Sequence, residues 1–452
     1  MSNNLFREFD DVSSKQWKQK IQFDLKGADY NDTLIWNSNE DIHVKPFYNR
    51  EDLKNTVPSK NNTTSWKICQ SIFVSDAIKS NQKAIDAINK GAESVKFIVP
   101  NNNISITDLL LDIDINKIEI HLTLQFLDSE FIKQIPKKSS IHVHTDIIGH
   151  LARTGNWYQS LKEDHIQFEN SIKSTFSFSV DVTLYQNAGA SIVQQLAYAL
   201  AHANEYLNHF DNVIASEAKQ SFEVSFNLSI GTNYFFEIAK LKALRLLYRV
   251  LATEYGFNPE CFIFATPTKR NKTLYDYNTN MLRTTTECMS AILGGANTIC
   301  NLPYDAIYHK DNEFAERIAR NQLLVLKNES YFDKVYNPSD GAYYIESLIN
   351  QLAEKALSLV KDIEKNGGFL YQLKQGIIQK KIKESAAKEQ EQFNSGEEIL
   401  LGTNKYQNPN DKMNDELELY PFVKTNKRKT LIEPIIERRL AELNEQERLN
   451  TE

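Results

Sequence analysis

The sequence predicts an α/β fold, a (β/α)8 or TIM barrel with an N-terminal arm and a helical C-terminal extension. Between residues 65 and 330, eight strand-like runs alternate with helix-period segments, and eight such repeats in about 265 residues are typical of a TIM barrel. A doubly wound open sheet is the structural alternative, but its glycine fingerprint is missing. We assign residues 1–60 to the arm, 61–370 to the barrel and 371–452 to the extension.

The composition argues against several classes of protein. A formal net charge of −7 disfavours broad nucleic-acid binding. No apolar run approaches the roughly 18 residues that a membrane span needs, and the N-terminus lacks the basic and apolar regions of a signal peptide. The four cysteines form no CxxC pair, which is typical of reduced, buried thiols. We therefore predict a cytoplasmic protein that binds neither nucleic acid nor membrane.

The arm begins with a predicted helix. Ser13, with Gln16 three residues later, is a capping-box signal for a helix from Trp17 to about Leu25. The remainder of the arm contains aromatic residues without a clean period, so it cannot form a core alone. We expect it to pack on another domain or on a partner.

The barrel strands and helices follow in order along the chain. The predicted strands cover residues 66–74, 94–100, 118–126, 140–148, 176–184, 221–230, 261–266 and 297–302. The clearest predicted helices cover residues 191–209, 233–255, 277–293 and 314–328. A further helical segment ends at Gly367-Gly368, a plausible C-cap. The sequence of the extension predicts a charged helix at 371–395, a linker at 407–430 and a last helix at 431–448.

The third to sixth strands alternate apolar and polar residues. In the third strand, for example, isoleucines and leucines alternate with Glu119, His121 and Thr123. Because the apolar face of a barrel strand meets the helices, the polar face points inward. The interior then holds either a packed hydrogen-bonded network, which we favour, or an axial ligand channel.

One metal-like pattern lies on the fourth strand. His142, His144 and Asp146 occupy positions i, i+2 and i+4, which share one face of a strand. A metal site of this kind needs further ligands on later strands, and those strands contain no histidine. We therefore interpret these residues as structural and predict no bound metal.

No nucleophile is evident, since the chain has no GxSxG and no cysteine in a local histidine signature. His202, His209 and His309 are expected at the surface. The cationic residues of the sixth helix are expected to form a solvated face, namely Lys240, Lys242, Arg245 and Arg249. A second cationic group, after the seventh strand, is better placed for an anionic ligand such as phosphate. It consists of Lys269, Arg270 and Lys272.

Several strings resemble the methylmalonyl-CoA mutase family. They are FNLSIGTNYFFEIAKLKALRLLYR at 226–249, ARNQLLVLKNES at 319–330, NPSDGAYYIESLINQLA at 337–353 and LKGADYNDTLIWNSNEDIHVKPFY at 25–48. The resemblance covers nearly the whole chain. It implies a TIM barrel and a mutase that isomerises an acyl-CoA.

The departures from the family pattern indicate which branch the chain resembles. In the stretch that corresponds to the catalytic chains' Gly-Tyr-His-Met-Gln-Glu-Ala-Gly-Ala, Leu184 occupies the position of the catalytic histidine. Leucine can neither donate a proton nor hydrogen-bond a thioester carbonyl. His144 occupies the position of a family glutamine, and no Asp-x-His-x-x-Gly cobalamin motif is present. We therefore expect no catalytic residue and no cobalamin-binding domain in this chain.

The resemblance thus implies the small, or beta, subunit of a heterodimeric bacterial mutase. Its large, or alpha, partner would bind adenosylcobalamin and interconvert (R)-methylmalonyl-CoA and succinyl-CoA, while this chain alone binds no cofactor and is inactive. The arm would contact the partner through five aromatic residues, Trp17, Tyr30, Trp36, Phe47 and Tyr48. Two alternatives stay open, namely a free-standing barrel that binds an acyl-CoA and a metal-dependent hydrolase.

Overall fold

The computed structural model describes residues 8, 10, 12–53, 65–211, 213–214, 216–335, 337–424 and 427–452. Its centre is a barrel of eight parallel strands. They are β3 (Lys67–Phe73), β4 (Ser94–Val99), β5 (Glu119–Leu124), β6 (Ile141–His144), β7 (Ser177–Asp181), β8 (Glu223–Ile230), β9 (Cys261–Pro267) and β10 (Thr298–Cys300). The predicted TIM barrel is therefore confirmed.

Each barrel strand pairs with its neighbours in the chain except β6 and β7, and β10 pairs with β3. Between β6 and β7 the barrel is held by Ser179, whose backbone N and Oγ donate to Thr145 O at 3.3 and 3.4 Å. This weaker seam leaves the barrel nearly closed. In β5 to β8 polar side chains point inward and apolar ones face the helices, as the alternation predicted, whereas Phe262 and Phe264 of β9 also point inward against His121.

The helices cover the barrel and extend beyond it. They are α1 (Ser14–Asp24), α2 (Tyr30–Leu34), α3 (Ala77–Asn89), α4 (Ile106–Leu109), α5 (Ser129–Lys133), α6 (Ile147–Thr154), α7 (Leu161–Thr175), α8 (Thr183–Asn187), α9 (Ile192–Phe210), α10 (Ser216–Lys219), α11 (Tyr234–Glu254), α12 (Thr279–Leu293), α13 (Glu313–Asn328), α14 (Tyr343–Lys365), α15 (Phe369–Lys374), α16 (Ile377–Ser395) and α17 (Glu442–Leu449). No helix among the described residues is long and apolar enough to cross a membrane.

Two predicted strands were too long at their C-terminal ends. The Asp146 side chain accepts from Gly149 N at 2.7 Å and starts α6, so Ile147 and Ile148 are helical. The predicted strand at 176–184 likewise ends at Asp181, and α8 follows. In the first case an N-cap overrides the β propensity of an apolar run.

The extension differs from its prediction in two places. The helix predicted at 371–395 is divided into α15 and α16 by Gly376, whose φ of +75° is left-handed. The last helix, predicted at 431–448, begins only at Glu442. Residues 431–441 are not helical because their backbone groups bond to the barrel, and Pro434 has no N–H to donate.

The arm folds back on the barrel helices. Its capping box is confirmed, since Ser13 Oγ accepts from Gln16 N while Gln16 Oε1 accepts from Ser13 N. The ring of Trp36 meets that of Phe236 on α11 edge-on, with centroids 5.7 Å apart. A short antiparallel pair, β1 (Trp36–Asn37) and β2 (His43–Val44), follows α2.

Candidate functional site

The mouth of the barrel, formed by the loops after β7, β8 and β9, holds a cavity of about 440 Å³. This C-terminal end of the strands is where TIM-barrel enzymes place their active sites, and the volume suits a small-molecule pocket. Its lining includes Trp36, Glu40, Gln186, Glu237, Arg270, Glu389 and Leu440.

Beside this cavity, the ammonium group of Lys240 is buried and surrounded by oxygen atoms. It lies 2.5 Å from Glu237 Oε2 and donates to Ser229 O at 2.8 Å. Its other acceptors, each at 3.0 Å, are the side-chain oxygens of Gln186 and Gln195. Burial lowers the pKa of Lys240, and the charge of Glu237 opposes that shift. The lysine therefore has no N–H left for a ligand.

A second buried ion pair is formed by Lys272 and Glu287. Lys272 Nζ donates to the two Glu287 carboxylate oxygens at 2.8 and 3.0 Å, and Asn271 Nδ2 donates to the same carboxylate at 2.6 Å. Burial raises the pKa of Glu287 and lowers that of Lys272, while the charge of each partner counteracts the shift of the other. Both groups are already satisfied by protein atoms.

The C-terminal segment, residues 431–441, lies across the mouth and is bonded to its loops. Arg438 N donates to Asn187 O at 3.1 Å, and Leu440 N donates to Arg270 O at 2.9 Å. In return, Arg270 Nη1 donates to Arg438 O at 2.8 Å. The segment therefore occupies surface that a large ligand approaching the strand ends would need.

The cationic groups predicted from the sequence lie differently from expectation. The solvated face predicted on α11 is wrong for Lys240, Lys242 and Arg245, which are buried because α11 packs between the barrel, α9 and α14. In the second group, Lys269 is exposed, whereas Arg270 is buried and its Nε lies 2.6 Å from Glu389. The partly exposed carboxylate of Glu389 thus already neutralises the guanidinium predicted to meet an anion.

The two positions that the resemblance singled out are both inside the protein. Leu184 lies on α8 with 1% of its surface exposed, within the main apolar core. His144 lies at the end of β6 inside the barrel, where its Nε2 is 3.0 Å from His121 Nδ1 and its ring packs edge-on to Phe264. Neither side chain lines the mouth cavity.

The opposite, N-terminal end of the barrel, here called the base, holds a cluster that was only partly predicted. Glu119 and His121 lie two residues apart on β5, and His142 pairs with His121 across the strands. His121 Nε2 is 2.8 Å from Glu119 Oε1, and His142 Nδ1 is 2.7 Å from Glu223 Oε1. The rings of His121 and His142 stack with centroids 4.8 Å apart.

The pKa values of the three imidazoles shift in different directions, although burial lowers each of them. It lowers the pKa of His121 and of His144 well below the ordinary value, and the charge of the neighbouring histidine adds to each shift. Burial also lowers the pKa of His142, but the hydrogen bond and charge of Glu223 more than offset it, so that pKa is raised. The base therefore combines neutral imidazoles with one imidazole favoured in its protonated form.

Asp146 does not join His142 and His144, because the chain turns into α6 at this residue. Its carboxylate accepts from Tyr206 Oη at 2.7 Å and lies 3.0 Å from His202 Nε2. The prediction that His202 lies at the surface is therefore wrong, since the ring is buried on the inner face of α9. The sequence signal for the base cluster was the Glu119-x-His121 alternation, but only strand register joins it to His142 and Glu223.

The five predicted contact residues of the arm are placed unequally. Trp17 and Trp36 are 50% and 51% exposed, whereas Tyr30 is buried. Phe47 lies against Trp17 with ring centroids 6.3 Å apart, and Tyr48 packs on Tyr344 of α14 at 5.1 Å. The arm thus keeps part of its aromatic surface open while the rest fixes it to its own chain.

Comparisons with known protein sequences give one consistent family. A family model described as methylmalonyl-CoA mutase matches residues 102–447. The methylmalonyl-CoA mutase small subunit of Porphyromonas gingivalis is 34% identical over 450 residues, covering 92% of this chain and 73% of that protein. The large subunit from the same organism is 32% identical over 247 residues, covering 54% of this chain and 34% of its own length. A methylmalonyl-CoA mutase of Cereibacter sphaeroides is 29% identical over 455 residues, covering 86% of this chain and 64% of its own length.

Proposed function

Because this chain belongs to the methylmalonyl-CoA mutase family, we propose that it is a non-catalytic subunit that supports a large mutase subunit. In this proposal the large subunit binds adenosylcobalamin and interconverts (R)-methylmalonyl-CoA and succinyl-CoA. The present chain stabilises that partner and does no chemistry itself. The observation that carries the proposal is Leu184, packed in the core at the position of the family's catalytic histidine.

Leu184 supports the proposal in two ways. An aliphatic side chain cannot transfer a proton or hydrogen-bond a thioester carbonyl. In addition, α8 keeps this side chain among apolar core residues, so that a substrate in the mouth would not touch it. Activity in this chain would require a different residue in that role, and the buried cations beside the cavity, Lys240, Arg270 and Lys272, are held in ion pairs.

The mouth also does not fit the family's cofactor. Adenosylcobalamin supplies radical chemistry when it is bound, but its corrin ring and attached nucleotide form a far larger body than the ligands that fill a cavity of about 440 Å³. Residues 431–441 cross the same face through backbone hydrogen bonds. We therefore propose that the cofactor binds to the partner subunit.

The arm is the surface that we propose for this partner. Trp17 and Trp36 present half-exposed indole rings, the side-chain type most enriched among residues that dominate binding energy. A groove of about 1030 Å³ lies within the arm and is lined in part by Tyr30 and Phe47. The occurrence of a small and a large subunit among the similar proteins of one organism supports a two-chain assembly.

The interface proposal is tested by replacing both half-exposed indoles, Trp17→Ala and Trp36→Ala, in one chain. Mixed with the large mutase chain encoded in the same genome, this variant should bind at least about 30-fold more weakly, the loss expected when binding hot spots are removed. Tyr406→Ala, which removes an exposed aromatic residue of the extension, is the matched control and should bind normally. Binding measured by calorimetry that is unchanged in the double variant would contradict the proposed surface.

The acyl-CoA-binding alternative rests on the mouth cavity. Titration of the isolated chain with methylmalonyl-CoA, succinyl-CoA and acetyl-CoA in a calorimeter separates it from the subunit proposal. Heat of binding in the low micromolar range would favour a ligand-binding barrel. No detectable heat across the series is the expected result, because Lys240, Lys272 and Arg270 are already neutralised by carboxylates of the same chain.

A further inference from the structure

We propose that Glu119, His121 and His142 form a binding site for a single divalent transition-metal ion of the zinc type at the base of the barrel. The site lies at the opposite end from the mouth, so the proposal does not depend on whether this chain is catalytic. It also differs from the pattern weighed in the sequence, because Asp146 is engaged elsewhere and the ligands besides His142 are Glu119 and His121 rather than His144 and Asp146.

The first support is the grouping of the donor atoms. One ligand atom from each of Glu119, His121 and His142 lies within 4.8 Å of the other two. Four tetrahedral ligands about 2.1 Å from a zinc ion are roughly 3.4 Å apart, so shifts of about 1 Å bring the three atoms to a common centre. The two stacked rings must tilt for their lone pairs to converge, and neighbouring strands hold both at the correct height. Two imidazoles and one carboxylate are a donor set typical of zinc and similar ions.

The second support is an unpaired buried atom next to the cluster. Asn227 Oδ1 is buried without a hydrogen-bond partner, while its Nδ2 lies 3.4 Å from His144 Nδ1. His144 Nε2 in turn lies 3.0 Å from His121 Nδ1. When Asn227 Nδ2 donates to His144 Nδ1, the proton of His144 is on Nε2, which donates to His121 Nδ1. The proton of His121 is then on Nε2, the atom that faces Glu119.

Rotation of the Asn227 amide reverses this chain. Oδ1 then accepts from His144 Nδ1, and His144 Nε2 accepts from His121 Nδ1. The proton leaves His121 Nε2, whose lone pair is free to bind a cation. Because Oδ1 has no partner before the rotation and Nδ2 has none after it, the number of hydrogen bonds is unchanged and the network can supply either tautomer.

The third support is the environment of His142. Its Nδ1 lies 2.7 Å from the Glu223 carboxylate, so its Nε2 points to Glu119 Oε2 at 3.9 Å. A carboxylate behind a histidine is the arrangement that orients metal-binding imidazoles and raises their basicity. The side chains of Glu119 and Glu223 are 17% and 38% exposed, so an ion can enter from the N-terminal face, and water can complete its coordination.

The experiment uses the full chain, freed of metal with a chelator and titrated with zinc alone in a calorimeter. We expect one zinc ion per chain with a Kd below about 1 μM. Glu119→Gln and His142→Gln should each weaken binding at least about 100-fold, because each removes one of three protein ligands. The exposed arm residue His43 provides the matched control, and His43→Gln should leave the affinity unchanged.

Two further readouts make the result decisive even if a ligand variant folds poorly. Asn227→Leu, which keeps all three ligands, should weaken zinc binding about 10- to 100-fold, as removal of a positioning partner does. Cobalt added to the unmodified chain should produce the visible absorption of a four-coordinate ion, and zinc should abolish it. Absence of zinc binding tighter than about 100 μM, or a bound zinc unaffected by His142→Gln, would overturn the proposal.

Discussion

The two ends of this barrel differ in whether their charged side chains are buried in ion pairs or open to solvent. At the mouth, the ion pairs Lys240–Glu237 and Lys272–Glu287 are sealed from water, and residues 431–441 lie across the loops. At the base, Glu119 and Glu223 reach solvent. Further along the barrel, the Asn227 Oδ1 atom is buried without a partner among the described residues. The two ion pairs at the mouth are already satisfied by protein atoms, whereas the carboxylates at the base stay open to a ligand.

The largest expected effect comes from breaking a sealed pair at the mouth. Glu287→Gln leaves the Lys272 ammonium buried without its counter-charge, which should lower the free energy of unfolding by about 3–5 kcal/mol in urea denaturation. Replacing both partners, by Lys272→Met with Glu287→Leu, should recover most of the loss. A single variant that unfolds within about 1 kcal/mol of the parent would show that the mouth is open to water.

The next largest effect concerns the residue that carries the functional proposal. Leu184→His should lower the free energy of unfolding by about 2–4 kcal/mol, because it places an imidazole without partners in an apolar core. Leu184→Met, a shape-tolerant control, should cost less than about 1.5 kcal/mol. We also expect the Leu184→His chain to show no mutase turnover, and turnover in that variant would mean that position 184 still faces a working site.

The histidines at the base should make the stability of the protein depend on pH. The pKa values of His121 and His144 are lowered in the folded chain, so the unfolded chain binds protons more readily and stability falls as the pH drops below about 6.5. The raised pKa of His142 acts the other way: its contribution is full below about 6.5 and is lost as the pH rises through the folded value.

Urea denaturation at pH 7.5 and 5.5 measures this balance. We expect the parent to lose stability at pH 5.5, by at most about 1.4 kcal/mol per neutral histidine. His144→Phe should reduce the loss and His142→Gln should increase it. Equal slopes in all three proteins would mean that burial does not shift the pKa values of these histidines.

The smallest effect is expected at the unsatisfied amide. Asn227→Leu should change the free energy of unfolding by less than about 1 kcal/mol, because it removes one long hydrogen bond and also one buried oxygen without a partner. Asn280→Leu provides the contrast, since that amide makes five hydrogen bonds of 2.7–3.3 Å to Thr273, Arg283 and Tyr304. A loss of similar size in both variants would remove the distinction between satisfied and open polar groups.

The barrel could be predicted because its signals are local. Strand alternation and helix periodicity placed β5, α9 and α11 within one or two residues of their observed ends. The burial of Lys240 and Lys242 could not be predicted, because it depends on which helices cover α11. The cap at Asp146 was hidden inside an apolar run, and the path of 431–441 is set by hydrogen bonds to loops distant in sequence.

The base cluster shows the same limit. Glu119 and His121 were recognised as inward-facing from the strand pattern, but their pairing with His142 and Glu223 depends on the register of strands far apart in the chain. Sequence alone therefore directed attention to His142, His144 and Asp146. The structure instead groups His142 with Glu119 and His121 on the neighbouring strand.

The most direct test of the functional account is a reconstitution with purified chains. Isomerisation of (R)-methylmalonyl-CoA is measured with adenosylcobalamin present, for this chain alone, for the large mutase chain alone and for the two mixed at equal concentration. The account predicts no turnover by this chain alone and higher or more stable turnover in the mixture than with the large chain alone. Turnover by this chain alone, or a mixture that behaves like the large chain without it, would contradict the account.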